Sequence, residues 1–101
     1  MIQPEEELAI PPGMPLATAA TAIEEAVAAE GLRVAQRSTL AEYPGCLHWH
    51  LKQGKGAGTL EVTLLQRRDG GRILFSIHAN RDADWIPAAI ERLVATLNAR
   101  L

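Results

Sequence analysis

Between residues 46 and 78, apolar side chains fall at every second position in three successive runs. Leu47, Trp49 and Leu51 alternate with Cys46, His48 and His50. Leu60, Val62 and Leu64 alternate with Thr59, Glu61, Thr63 and Leu65. Ile73, Phe75 and Ile77 alternate with Arg72, Leu74, Ser76 and His78. A period of two is that of a strand with one buried face, so strands are predicted over 46–51, 59–65 and 72–78. The glycine-rich stretch 53–58 and the Asp69-Gly70 pair are hairpin signals between them. Short hairpin connections make a meander, in which neighbours in sequence are neighbours in the sheet.

Upstream the period changes. Leu16, Ala20, Ile23 and Val27 recur at helical spacing in an alanine-rich segment, with Pro15 at its entry and Gly31 at its exit. Together they predict a helix over 16–30. A first strand over 32–39 follows, with Leu32 and Val34 inward and Arg33, Ala35 and Arg37 outward. Its fading alternation and charged positions suit a sheet edge. Residues 40–45, with Pro44-Gly45 as turn signal, connect it to the next strand. After residues 79–81, Asp82 or Asp84 can cap a last helix carrying Ile86, Ile90, Leu93, Leu97 and Leu101 on one stripe. Pro87 is tolerated in its first turn. Pro4, Pro11, Pro12, Pro15 and Gly13 mark residues 1–15 as an extended or partly disordered tail.

The pattern is α-β-β-β-β-α. One apolar face per strand and one stripe per helix predict an α+β fold: a two-layer sandwich with a four-stranded antiparallel meander and both helices on one face. Residues 16–101 then form a single domain. This order of elements is similar to that of two-layer domains in small bacterial chaperone-like proteins, a likeness of fold order that implies nothing about function.

Composition narrows the function classes. The chain has 101 residues, enough for a single core, and 48% of them are hydrophobic. A net charge of −2 argues against a nucleic-acid partner. No apolar run approaches the length of a membrane span. Glu5, Glu6 and Glu7 stand where a signal peptide would be basic. The lone Cys46 fits a reducing compartment, and a cytoplasmic setting is expected.

Candidate chemistry lies on the polar side of the strands. Pairing around the glycine loop sets His50 opposite Glu61 and His48 opposite Thr63. An Asp69-Gly70 turn would set Glu61 opposite His78, Thr63 opposite Ser76 and Leu65 opposite Leu74. Cross-strand neighbours are close enough to touch. The rows expected on the face opposite the helices are thus His50-Glu61-His78, His48-Thr63-Ser76 and Cys46-Leu65-Leu74. In the first row, His50, Glu61 and His78 are candidate metal ligands, since two imidazoles and a carboxylate suit zinc or iron. The blander alternative is a hydrogen-bonded glutamate between histidines. Such a glutamate should raise the histidine pKa values unless burial dominates. No group is placed to orient Cys46 as a nucleophile, and the 54–58 loop joins strands rather than opening a helix as a phosphate loop does.

The expected function is a non-enzymatic protein-interaction module without a cofactor. It would be homodimeric through the open sheet face or would bind another protein there. In this reading Cys46, Leu65 and Leu74 form the dimer interface, and His48, His50, Glu61, Thr63, Ser76 and His78 form the binding face. The alternative is a ligand- or metal-binding protein, or a small enzyme, that uses the histidines and Glu61 for a small molecule or ion.

Overall fold

A computed structural model of the chain describes residues 5–39, 45–78 and 81–101. The expected Pro44-Gly45 turn therefore lies largely outside the described residues, as do residues 1–4 of the expected tail and 79–80 of the lead into the last helix. The elements, in chain order, are β1 (Glu6–Ala9), α1 (Leu16–Ala29), β2 (Arg33–Thr39), β3 (Leu47–Lys52), β4 (Leu60–Arg67), β5 (Gly70–Ile77) and α2 (Trp85–Arg100). All strand pairings are antiparallel, in the order β1-β5-β4-β3-β2. The fold is α+β.

The sheet has five strands rather than the expected four. Part of the expected tail, β1, pairs with β5, so the first strand in sequence lies beside the last. Ile10 N–H continues the pairing to the Gly71 carbonyl at 3.0 Å, and the Ile10 side chain is buried. It lies against Gly71, where a Cβ would sit 2.7 Å from Ile10 Cδ1. Pro11, Pro12 and Pro15 end this strand without preventing it, because the residues ahead of them keep their donors.

The meander from β2 to β5 is present, with two local departures. Between Val34 and Gln36 the β2–β3 register shifts at a bulge. Beyond it the expected facing is reversed, as bulges do. Arg37 lies opposite Trp49 on the helix-bearing face; Val34, before the bulge and opposite Leu51, keeps its expected face but is 43% exposed. The second departure is at the β4–β5 turn, whose two central residues are Arg68 and Asp69, with Arg67 opposite Gly70. Glu61 therefore faces Ser76, Thr63 faces Leu74 and Leu65 faces Arg72, two residues from the expected partners. A slide of two preserves every side chain's face, so the apolar alternation cannot detect it. The observed register brings Arg72 within 2.7 Å of Asp69 and 3.6 Å of Glu7.

Both helices cover one face. Trp49, Leu51, Leu60, Val62, Leu64, Ile73 and Phe75 are wholly buried there, with Ile23, Ile86, Leu93 and Leu97 from the helices. Ala19, Ala22 and Ala26 let α1 approach closely. The Trp49 indole donates to Glu24 of α1 at 3.2 Å, and Arg37 reaches the same carboxylate oxygen at 2.7 Å. Glu30–Arg92 and Glu25–Arg100 ion pairs set the two helices antiparallel. No described helix is long and apolar enough to cross a membrane.

Candidate functional site

On the opposite sheet face, β3 presents His48 and His50 two residues apart, both toward the same side. The β3–β4 register sets His50 opposite Glu61 and His48 opposite Thr63, as the glycine loop predicts. His78 follows directly on β5. Its displacement by the register slide is made up by side-chain reach, and its Nδ1 lies 2.7 Å from Glu61 Oε2. Three imidazoles therefore gather around one carboxylate.

The remaining distances define the cluster. His48 Nε2 and His50 Nε2 are 2.9 Å apart, so one imidazole donates and the other accepts. His48 Nδ1 lies 3.3 Å from Thr63 Oγ1 and 3.6 Å from Glu61 Oε1. His50 Nε2 lies 3.6 Å from Glu61 Oε2. The His50 and His78 rings are 4.2 Å apart, centre to centre. Side-chain exposures run from 15% at His50 to 31% at His78, so the groups are shielded yet still open to an incoming ion. Burial is the main influence lowering the His50 pKa, with His78 and then His48 adding to it; Glu61 opposes and is outweighed. His50 is thus the case in which burial outweighs the raising effect of Glu61.

Chemically this set fits a transition-metal ion. One donor atom each from His48, His50 and Glu61 lies within 4.8 Å of the other two. In a tetrahedral zinc site, bonds of about 2.0–2.1 Å separate ligand atoms by about 3.3 Å. Two of the three separations, 2.9 Å between the imidazole Nε2 atoms and 3.6 Å from His50 Nε2 to Glu61, bracket that value, and the third, from His48 to Glu61, lies within 4.8 Å. A histidine kept neutral has the free lone pair that ligation needs. Thr63 and His78 flank this trio: the threonine Oγ1 lies 3.3 Å from His48 Nδ1, and His78 Nδ1 lies 2.7 Å from Glu61 Oε2. Such partners orient ligands and tune them.

The converging trio differs from the one expected from the rows. His48 joins His50 and Glu61 in the converging group, and His78 contacts Glu61 from outside it. The signal for His48 was present in the His-x-His spacing, but a row-by-row pairing separated the two histidines. Ser76 is opposite Glu61, and no hydrogen bond joins its side chain to the cluster among the described residues. Leu65 and Leu74 are half-buried on the same open face. Cys46 does not join them in a row. It is buried and lines a cleft of about 380 Å³ with Leu16, Ala20 and Thr21 of α1. Gly45, at φ 85°, turns the chain just before the alternation of β3 begins.

Compared with protein-family models, with curated proteins and with solved structures, the chain shows no match.

Proposed function

We propose that this is a metal-binding protein that holds a divalent transition-metal ion of the zinc class on its open sheet face. His48, His50 and Glu61 are the ligands. The carrying observation is the convergence of their donor atoms, within 4.8 Å of one another, on a face that both helices leave free. Thr63 and His78 set the orientation of His48 and Glu61 from behind. The same cluster without an ion is a hydrogen-bonded network, with one proton shared along the 2.9 Å His48–His50 contact. Ion binding would require that proton to move to the other nitrogen of its ring, and protonating either imidazole removes the lone pair that ligates, so affinity should fall with acidification. A cytoplasmic setting belongs to the proposal, supported by the single free thiol of Cys46.

Calorimetric titration of the chelator-treated protein with zinc tests this reading. One ion per chain is expected, lost in His50→Ala and in Glu61→Gln. Heats that are unchanged in both variants would refute it.

A second reading, self-association through the same face, is supported by Leu65 and Leu74 beside the neutral Thr63 and Ser76. Arg72, which sits opposite Leu65, counts against a continuous apolar row. Sedimentation of wild type and of the Leu65→Asp, Leu74→Asp double variant decides it: a dimer that the substitutions dissociate supports the reading, and a wild-type monomer at high concentration removes it.

A further inference from the structure

A groove of about 370 Å³ runs along α2 on the side of β1, on the helix-bearing side of the sheet and not on the histidine face. Its floor is Ile77 at the end of β5 together with Ile86, Ile90 and Val94, one stripe of α2. Glu5 and Glu6 line it from the strand side and Glu91 from the helix side.

Among the described glutamates the charge pattern singles this groove out; Asp82 and Asp84, also without a basic partner among the described residues, do not line it. Every other described glutamate has a basic partner: Glu7 with Arg67, Glu24 with Arg37, Glu25 with Arg100, Glu30 with Arg92 and Glu61 with His78. Among the described residues, Glu5, Glu6 and Glu91 have none. Glu6 accepts only the Glu7 backbone N–H, at 3.3 Å. These three glutamates, without a basic partner among the described residues, all line one groove, on both of its walls.

The occupant must therefore carry positive charge toward both walls and an apolar body over the floor. The floor limits its width. Ile86 is fully buried and Ile90 is 7% exposed, so the groove offers too little apolar surface for a docked helix. A thin chain of methylenes between ammonium groups matches both demands. We propose that the groove binds an aliphatic polyamine, its ammonium groups set between Glu5 or Glu6 and Glu91 and its methylenes over Ile77, Ile90 and Val94. The charge and groove observations are independent of the histidine cluster, and so is this binding.

The test is an NMR titration of the full chain with spermidine in chelator-treated buffer at near-physiological salt. Shifts confined to Ile77, Ile90, Val94 and their neighbours are expected. Glu91→Gln should weaken binding about fivefold, as for one lost surface ion pair. Glu25→Gln, which touches a glutamate outside the groove, should leave affinity unchanged. Retained affinity in Glu91→Gln would overturn the proposal. So would shifts scattered over all acidic residues, or equal competition by magnesium, since either marks unspecific counterion attraction. Binding of a basic helical peptide in the groove without binding of spermidine would overturn it as well.

Discussion

His50 is the residue on which the cluster turns, because it touches His48, His78 and Glu61 together. Its lowered pKa has a consequence for the metal-free protein. Between that lowered value and the ordinary value of about 6.5, the unfolded chain binds more protons than the folded one. This contribution to stability is whole above the window and is lost as pH falls through it. Urea unfolding of His50→Gln should therefore lose less stability than wild type between about pH 7 and pH 5. Equal losses in the two proteins would mean that His50 is not held neutral by the fold. His78 and Thr63 make a different prediction, since they act through a ligand rather than on the ion. His78→Ala should weaken zinc binding by about 10- to 100-fold without changing its stoichiometry. A change in stoichiometry would place His78 in the coordination sphere itself. At this scale the sequence was legible where a turn defined the partner. The glycine loop set His50 against Glu61 correctly. His78 reached Glu61 by a longer path than its expected row, because register on that side depended on which two residues made the turn.

Among the elements, β1 is the one that the sequence concealed. A four-residue strand flanked by prolines carries too little alternation to be distinguished from a tail, and its partner β5 is distant in the chain. Its place in the sheet makes a direct prediction. Ile10→Ala should cost about 2–5 kcal/mol by denaturation, as for a buried core truncation. An unchanged midpoint would mean that this segment does not close the sheet edge. The link between the β3–β4 loop and α2 is a second such element. Gly58 has φ 94°, and a Cβ there would come within 2.5 Å of Ala83 Cβ. The Thr59 N–H donates to the Arg81 carbonyl at 2.8 Å, and the His78 N–H to the Thr59 carbonyl at 3.0 Å. Gly58→Ala should therefore destabilise by more than about 1 kcal/mol, from the positive φ and the contact together. The same substitution should move His78 resonances, because the displaced strands hold that residue. Glycine-rich hairpin composition showed a loop there but not the close approach of Ala83, which is a tertiary fact.

For the whole molecule, the division into a core face and a polar face was legible along β3, β4 and β5, and failed in β2 beyond its bulge and at Cys46. Trp49, Val62 and Phe75, expected beneath the helices, are wholly buried there. Strand periodicity records that division reliably, because placing a large apolar residue on the wrong face costs burial along the entire strand. Phe75→Ala should accordingly cost about 3–5 kcal/mol. Less legible was how the polar face is divided along its length. One end carries the histidines and Glu61, and the other carries Glu7, Arg67, Arg72 and Asp69, paired among themselves. That arrangement depends on β1 and on the β4–β5 register. It leaves the histidine end as the part of the face with metal-ligand chemistry. The most direct test of that assignment is a crystal of the protein grown with zinc and measured on both sides of the zinc absorption edge. The expected result is one anomalous peak about 2.0–2.2 Å from His48 Nε2, His50 Nε2 and a Glu61 carboxylate oxygen. A well-ordered His48–Glu61 region without such a peak, at zinc concentrations that saturate the calorimetric signal, would contradict it.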